Sequence, residues 1–412
     1  MNPPVHDAIV ACARDSYSQL LSFVASRAGG DLASAEDALG EAFLAALQIW
    51  PVEGVPNRPE AWLLTAARRR LIDLQRREAT RTRSTEMLMQ AMDLAQESVQ
   101  EGHTLPDERL KLLFICGHPA IDVAARTPLM LQTVLGLNAE CIASAFLVAP
   151  ASMSQRLVRS KAKIRAARIP FQIPSPEDWP ERLAYVLDAI YVAFNAGYGT
   201  VGTDDTGNQG FEEEAIYLAR MLLRMVPNEP EALGLLSLML FVHSRKAARR
   251  TSDGGFVPLN RQDPGLWSPS WIHEAENLLR QASAFGRPGR FQIEAAIQSV
   301  HAHRAASGRT NWFMIEGFYR ILRLYSNTVG ARIGHALAIA QIRGPADGLA
   351  ELDSIPENLA SDHQPYWVAR GHLLRRTGNS GASHKAYQRA IGLTEDPAVR
   401  SFLLKEMASE DG

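Results

Sequence analysis

The sequence predicts an all-α protein made of several helical units. Ala, Leu, Arg and Glu dominate, alternating β-branched runs are scarce, and apolar residues recur at helical spacing. The chain has 412 residues, of which 46% are hydrophobic and 21% charged, so it can build packed cores. At roughly 100–200 residues per domain, this length allows two to four domains.

Composition divides the chain into three helical units joined by an acidic connector and a proline-rich linker. In chain order these are the first unit (1–83), the acidic connector (84–105), the second unit (106–169), the proline-rich linker (170–176) and the third unit (177–412). The first unit is predicted to break at Gly29-Gly30 and at Pro51–Pro59, because glycine and proline interrupt helices. The third contains one long loop, roughly Arg249–Pro269, rich in Gly, Asp and Pro.

Charge is nearly balanced overall but is sorted along the chain. Lys plus Arg number 43 and Asp plus Glu 45, a net charge of −2 that excludes a uniformly basic protein. Residues 58–83 contain eight arginines and three acids, 84–108 contain six acids and no Lys or Arg, and 151–176 contain six basic residues and no acid. This pattern suggests two modules that each bind a polyanion, or equally three solvated helix faces.

Several classes of protein and site are not predicted. The three cysteines form neither a disulfide framework nor a CxxC zinc motif. P-loop, GxSxG and HExxH motifs are absent from the sequence, and His301 and His303, two residues apart, point away from each other on a helix. His118 is expected to be buried or to cap a helix. We therefore expect no enzymatic activity, no cofactor and no metal site. With no signal-peptide pattern and no apolar run near the roughly 20 residues that span a bilayer, a cytoplasmic protein without membrane contact is predicted.

The second helical unit contains a helix-turn-helix candidate. A short helix over Asn138–Phe146 precedes a turn at Leu147–Ala149, and Pro150 starts the next helix, where its missing N–H costs nothing. The apolar stripe of that helix is Met153, Leu157 and Ile164. Its polar face carries donors to base edges and phosphates, namely Ser152, Gln155, Arg156, Arg159 and Lys163, with Lys161 also able to reach phosphate. An ordinary amphipathic helix is the alternative, but the short turn and the absence of acids favour DNA binding.

Two helices of the first unit carry surface chemistry. In the helix over 62–77, the apolar stripe is Leu63, Ala67, Leu71 and Leu74. Trp62 and several arginines lie outside that stripe, which suits stacking on distorted or single-stranded DNA, although burial of Trp62 is equally expected. In 35–47, an apolar stripe is formed by Leu39, Phe43 and Leu47. The acidic side of that helix could bind a basic partner or be a plain surface.

The third unit shows weak internal repetition. A spacing typical of a tetratricopeptide helix pair is formed by Pro365, Trp367, Gly371, Leu374, Gly378, Tyr387 and Ala390. Ser383 occupies a position where a small Ala is usual, and degenerate copies begin near 228 and 334. Each such pair leaves an apolar face that only a neighbouring pair covers. An irregular helical bundle is the alternative.

These residues resemble a known family. Residues 35–43 and 61–77 resemble region 2 of extracytoplasmic-function sigma factors, and 106–168 resemble their region 4. The chain is most similar to the group of these factors that carries a large tetratricopeptide-like C-terminal extension. The stretches that carry this likeness are 113–119, 145–148, 153–159, 193–198, 230–236 and 253–259, with Gln262, Asp263 and Trp267.

The resemblance implies an RNA polymerase sigma factor with three contact regions. In the family, region 2 binds the clamp helices of the polymerase β′ subunit, and the matching positions are Glu36, Asp37, Glu41 and Phe43. Region 2 also melts the −10 promoter element and captures a flipped base, at positions that match Trp62, Arg68, Arg69, Arg70, Asp73, Arg76 and Arg77. Region 4 binds the β flap and reads the −35 element, at positions that match Ser152, Gln155, Arg156, Arg159 and Lys163.

The implied partners are core RNA polymerase and promoter DNA, with no cofactor. The extension is expected to regulate the chain and to contact regions 2 and 4, or a ligand, through one loop. The loop residues are Asp253, Gly254, Gly255, Gln262, Asp263 and Trp267. A plain turn is the alternative for Asp-Gly-Gly, but loops of about 20 residues are seldom without function.

Some positions depart from the family pattern, and two alternatives remain open. The departures are Ser34, Gly40, Arg69, Gly117 and Cys141. One alternative is a tetratricopeptide scaffold and transcriptional regulator whose DNA module no longer engages polymerase. The other is a ligand-binding or enzymatic C-terminal domain, which predicts a concave pocket near 191–198 and the loop at 253–267.

Overall fold

The structure is a computed structural model that describes residues 3–78, 107–146, 148–198 and 210–408. These residues are mostly helical and contain no β-strand, apart from an isolated bridge between Arg250 and Phe256. The predicted all-α class is therefore confirmed. The predicted acidic connector, 84–105, lies outside the described residues. Contacts divide the chain into two compact units, which we call unit 1 (1–193) and unit 2 (194–412).

The helices of unit 1 fall into two groups. The first group, with a π-helical turn at Cys12–Ser16, is α1 (Pro3–Ala11), α2 (Tyr17–Arg27), α3 (Leu32–Glu53) and α4 (Pro59–Glu78). The second group is α5 (Arg109–Cys116), α6 (Val123–Thr133), α7 (Ala139–Ala145) and α8 (Pro150–Ala166). A further helix, α9 (Trp179–Tyr198), follows a 3₁₀ turn at Pro176–Asp178.

Glycines interrupt unit 1, and the break predicted at Pro51–Pro59 begins three residues later than expected, at Gly54. Gly29 and Gly30, with φ angles of 65° and 87°, follow the end of α2. Pro51 does not break α3, which continues to Glu53 and ends at Gly54, where φ is 89°. The predicted break therefore starts too early. A proline in the last turn removes one backbone hydrogen bond, whereas the glycine adopts the backbone that ends the helix.

The apolar pattern of the sequence predicts the buried face of α4 better than that of α3. On α4, Leu63, Ala67 and Leu71 are buried as expected, and the side chain of Leu74 lies outside the described part. On α3, the expected stripe is wrong at Leu47, which is 37% exposed. The buried face is Ala35, Ala38, Leu39, Ala42, Ala46 and Trp50. Because alanines let two helices approach closely, the Ala-rich side of α3 packs and Leu47 faces solvent.

The second group of helices follows its predicted pattern. The expected stripe of α8, Met153, Leu157 and Ile164, is buried. The backbone N–H of Cys141 donates to the Asn138 side chain at 2.8 Å, which caps the start of α7. These two helices have the predicted positions in the chain. Their assignment to a DNA-binding motif stays a prediction.

His118 and Arg126 hold the segment between α5 and α6. The ring Nδ1 of His118 accepts from the Ala120 N–H at 3.1 Å within the turn between the two helices, so His118 holds a turn and does not cap a helix. Arg126 donates to Glu181 Oε1 at 2.9 Å and lies over the Tyr185 ring, 4.7 Å from its centroid. These contacts group 177–193 with unit 1. The contact boundary at 193/194 therefore differs from the predicted one at 176/177.

Unit 2 consists of helices in which neighbours along the chain pack on one another. Its first half contains α10 (Phe211–Met225), α11 (Pro230–His243), α12 (Pro269–Ala284), α13 (Arg290–Ala302), α14 (Arg304–Ser307) and α15 (Trp312–Tyr325). Its second half contains α16 (Val329–Ile342), α17 (Pro345–Asp353), α18 (Glu357–Ala360), α19 (Gln364–Arg376), α20 (Ser380–Gly392) and α21 (Pro397–Ala408).

The helix pair α19–α20 shows how small residues permit close packing. A Cβ placed on Gly371 would lie 3.1 Å from the Tyr387 ring, so only glycine fits there without displacement. Ser383 is buried and donates its hydroxyl to the Gly371 carbonyl at 2.9 Å, which explains a Ser at this position. The pair exists where the spacing predicts it. Its membership of a tetratricopeptide repeat stays a prediction.

Candidate functional site

The acidic side of α3 meets one edge of α8 inside unit 1. Both carboxylate oxygens of Glu36 accept from Lys161 Nζ at 2.7 Å. Arg165 Nε lies 3.2 Å from Asp31 Oδ2. Asp31 also caps α3, because its carboxylate accepts from the backbone N–H and the hydroxyl of Ser34. A residue of the predicted polymerase-binding face and a residue of the predicted DNA-reading helix are therefore ion-paired.

The other residues of the predicted polymerase-binding face lie on different sides of α3, because Glu41 and Phe43 are two residues apart in a helix. Glu41 accepts from Arg70 Nη2 at 2.5 Å. The ring of Phe43 lies 6.0 Å from that of Tyr17, centroid to centroid. Burial, followed by the nearby carboxylates of α3, raises the pKa of Tyr17 to about 12. Asp37 is exposed, so this face presents an uncovered carboxylate.

The predicted −10 residues lie on α4. Trp62 is half-buried and packs edge-on against the buried Trp50, with ring centroids 5.5 Å apart. Arg69 is exposed, while Arg68 and Arg70 are half-buried. This part of α4 therefore combines a partly accessible aromatic ring with guanidinium groups. The side chains of Asp73, Arg76 and Arg77 lie outside the described part of the chain.

The predicted −35 residues lie on the outer side of α8. The exposed members are Ser152, Gln155, Arg159 and Lys163. Arg156 is half-buried and donates to the Ala124 carbonyl at 3.2 Å, which fixes it against α6. Four of the five predicted residues therefore lie together on an accessible surface that is rich in hydrogen-bond donors.

Sequence reasoning missed the contact between α3 and α8. It assigned Lys161 to phosphate, whereas the structure turns this side chain toward Glu36. Lys161 and Arg165 are four residues apart and so share one side of α8, which was the available signal. The periodicity of α8 separates this edge from the DNA-type face but does not say which helix lies against it.

The predicted regulatory loop begins with a tight turn. The Gly255 N–H donates to Thr251 Oγ1 at 2.8 Å, and Gly254 has a φ of 83°. Asp253 is fully exposed, and a hydrogen bond from Thr251 lowers the pKa of its carboxyl. Asp263 Oδ1 accepts from the Gly265 N–H at 2.8 Å. The Asp-Gly-Gly sequence therefore forms an ordinary turn whose tip is accessible.

The second half of this loop is built into unit 2. Gln262 and Trp267 are only 6% and 3% exposed. Arg304 lies over the Trp267 ring, 4.9 Å from its centroid, and donates to the carbonyls of Leu259 at 3.1 Å and Gln262 at 2.9 Å. Arg250 pairs with Asp396, which directly precedes α21. Gln262 and Trp267 therefore support the loop, whereas Asp253 and Asp263 are its accessible carboxylates.

A cavity of about 680 Å³ lies beside the loop within unit 2. The loop residues that line it are Phe256 and Pro258–Arg261. Residues 191–198 are not among its lining residues. The concave pocket that a ligand-binding C-terminal domain predicts is therefore found at the loop.

A buried cluster of charge in unit 2 was not predicted. Glu212 of α10 accepts from Arg249 Nη2 at 2.9 Å and lies 3.1 Å from His243 Nδ1. Burial opposes ionisation of Glu212, but the hydrogen bonds from His243 and Arg249 hold its pKa below the ordinary value.

Among the described ranges, no three His, Cys, Asp or Glu side chains are grouped as a metal ion requires. No helix in those ranges is both long and apolar enough to span a bilayer.

Comparison with known proteins assigns two parts of the chain. Residues 14–81 match Sigma-70 region 2, and residues 182–283 match a family of unknown function, DUF6596. Over 377 residues the chain is 36% identical to a protein of Rhizobium meliloti (strain 1021) described as uncharacterized, and the alignment covers 90% of this chain and 89% of that protein. The chain belongs to the same family as that protein. No solved structure matches the present chain.

The region 2 match supports a sigma-70 family sigma factor with a sigma-factor-like role in RNA polymerase binding and transcription initiation. It spans α2, α3 and α4, and so contains the predicted polymerase-binding and −10 residues. The DUF6596 match contains the loop at 253–267 and the buried Glu212 cluster. The C-terminal extension is therefore a DUF6596 domain in at least this part.

Proposed function

We propose that this protein is an extracytoplasmic-function sigma factor that directs polymerase to specific promoters and is regulated by its C-terminal extension. The match of 14–81 to Sigma-70 region 2 is the observation that carries the proposal. The donor-rich outer side of α8 supports a second DNA contact.

In this proposal, the side of α3 that holds Asp37 and Glu41 binds a basic surface of core polymerase. Trp62 and the arginines of α4 bind the melted −10 strand, because bases stack on aromatic rings while guanidinium groups follow phosphates. The outer side of α8 reads the −35 duplex, where each correct base contact is worth roughly 1–3 kcal/mol. Since these contacts neutralise phosphates, promoter affinity falls steeply as salt rises.

The ion pair between Glu36 and Lys161 adds a conformational step. Both oxygens of Glu36 accept from Lys161, so a cation of the polymerase competes with Lys161 for this carboxylate. We infer that polymerase binding at Glu36 weakens the contact between α3 and α8. Partly exposed ion pairs are worth only about 0–1 kcal/mol, so a partner of ordinary affinity can replace this one.

Run-off transcription with purified core polymerase and a randomised promoter library tests the proposal. Full-length protein should produce transcripts from defined −35 and −10 sequences. Asp37→Arg should reduce core binding and transcript yield at least about tenfold, because it reverses a charge on the binding face. The matched control is Glu53→Arg, an exposed acid at the far end of α3, which should leave both unchanged.

Two further results concern the role of the extension and the alternative of a scaffold-type regulator. A form truncated after Ala193, at the end of unit 1, gives the sign of the extension's effect on transcription. Absence of core binding and of transcripts from both forms would favour a scaffold-type regulator whose DNA module does not engage polymerase.

A further inference from the structure

The cavity beside the loop has the dimensions of a small-molecule site. Its volume of about 680 Å³ lies between the loop, the α13–α14 corner and helices α16, α19 and α21. Clefts that bind drug-sized molecules are typically about 300–1,000 Å³ and bury most of the ligand surface. A single ion would leave this cavity largely empty. The cavity therefore suits an organic molecule.

The walls of the cavity are mainly apolar and aromatic. Phe256 of the loop packs edge-on against Phe402 of α21, with centroids 5.4 Å apart. Two further lining rings, Trp312 and His301, pack edge-on with centroids 5.7 Å apart. Leu337 of α16 also lines the cavity. Such walls favour a ligand whose body is apolar.

Positively charged side chains outnumber negatively charged ones in the lining. Among the described residues that line the cavity, Arg261 and Arg304 are cationic and Glu406 is the one carboxylate. Glu406 already pairs with Arg261 at 2.7 Å and with Arg375 at 2.9 Å. Arg304 is held by backbone carbonyls, which carry no net charge. The cavity therefore has an excess of positive charge beside its apolar walls.

Two histidines of the lining have lowered pKa values, mainly because they are buried. Burial, followed by Arg245 and Arg304, lowers the pKa of His301 to about 4. Burial, followed by neighbouring arginines, also lowers the pKa of His372. Both rings are therefore neutral at pH 7, and each offers one donor and one acceptor without adding charge.

We propose that this cavity binds a small amphipathic acid, a mainly apolar molecule with one carboxylate or sulfonate group. The apolar body lies between the Phe256–Phe402 and Trp312 walls, and the anionic group lies toward Arg261 and Arg304. Because the loop forms one wall, the ligand contacts the loop directly. The site does not depend on polymerase binding, so it is tested separately from the proposed function.

The test uses the full-length chain and the fluorescent probe 1-anilinonaphthalene-8-sulfonate, which has an aromatic body and one sulfonate. Titration should show one saturable site per chain. Decanoate should displace the probe at least tenfold more effectively than decylamine, which has the same chain length and the opposite charge.

Variants locate the site. Thr310→Trp, which places a large ring in the cavity, should weaken probe binding at least tenfold, and Gln341→Trp on α16 provides a second filling variant if the first does not fold. Arg261→Gln should weaken decanoate more than decanol. The matched control, Arg309→Gln, alters an exposed arginine that does not line the cavity and should change neither.

Three results would overturn the proposal. The first is probe binding that does not saturate. The second is equal displacement by decanoate and decylamine. The third is wild-type affinity for the probe in a folded Thr310→Trp or Gln341→Trp variant, with folding checked by its melting temperature.

Discussion

Each unit contains an ion-pair cluster, and the two clusters differ in their access to water. In unit 2, Glu212 and Arg249 have side chains only 2% and 4% exposed. In unit 1, Glu36 and Lys161 are 23% and 12% exposed and join two helices that are far apart in the chain. The first pair lies in the interior, and the second lies at a surface that can take up water when it opens.

This difference separates a structural contact from one that a partner can replace. Removing one member of a buried pair leaves an uncompensated charge in a medium of low dielectric constant, which is strongly destabilising. Opening a partly exposed pair returns both ions to water, so its cost is small. The ion pair at the proposed polymerase surface therefore costs little free energy to break. The buried ion pair of the extension costs much more.

The largest effect is expected for Glu212→Gln. It removes the buried negative charge to which Arg249 and His243 are hydrogen-bonded, so the unfolding free energy should fall by about 3–5 kcal/mol. Urea denaturation of the full-length chain measures this loss. Glu213→Gln, which removes an exposed carboxylate from the neighbouring residue, should change stability by less than about 0.5 kcal/mol. Equal losses in the two variants would contradict the comparison.

The pH dependence of unit 2 should be the next largest effect. Because the pKa of His301 falls from 6.5 to about 4 on folding, the unfolded chain binds more protons between these pH values. The contribution of His301 to stability is therefore complete above pH 6.5 and falls by about 3 kcal/mol as the pH drops to 4. His301→Phe should remove this part of the slope in denaturation series. His303→Phe, at an exposed position, should keep it, and a wild-type slope in His301→Phe would refute the assignment.

The stability of the helix pair α19–α20 should be sensitive to one added methyl group. Gly371→Ala places a Cβ 3.1 Å from the Tyr387 ring, which should cost about 1–3 kcal/mol. Gly381 of α20 has open space around its Cβ position, so Gly381→Ala should be neutral or stabilise by up to about 1 kcal/mol. Thermal unfolding compares the two variants. A lower melting temperature for Gly381→Ala than for Gly371→Ala would show that packing does not set the difference.

The smallest effect on stability is expected at the contact between α3 and α8. Lys161→Ala should lower the unfolding free energy by less than about 1 kcal/mol, and the effect should shrink as salt screens the pair. A double-mutant cycle with Glu36→Gln measures the coupling. Lys163→Ala, on the exposed side of the same helix, should show no coupling to Glu36. A coupling above about 3 kcal/mol would mean that this pair behaves like the buried one.

Local pattern predicted much of the fold. The stripes Met153–Leu157–Ile164 and Leu63–Ala67–Leu71 are buried as periodicity requires, because a helix exposes one side to its neighbours and another to water. The pattern was wrong at Leu47 because it weighted bulky residues and overlooked an alanine face. It was also wrong at Pro51, since a proline near a helix end removes only one hydrogen bond.

The candidate sites were predicted less completely than the helices. The accessible side of α8 and the exposed Asp37 lie where the family resemblance implies surface residues. Gln262 and Trp267 carried the same expectation, but they are buried under Arg304 and support the loop. A motif in sequence does not distinguish a residue that touches a partner from one that holds the motif in place.

The sequence by itself determined the helical class, most helix positions and the sorting of charge along the chain, because these depend on spacing within a few turns. Only the tertiary structure decided that Lys161 meets Glu36, that 177–193 pack with unit 1, and that the loop closes one side of a cavity. Those features depend on which faces of distant segments pack together. Helical periodicity describes each face but carries no information about its partner.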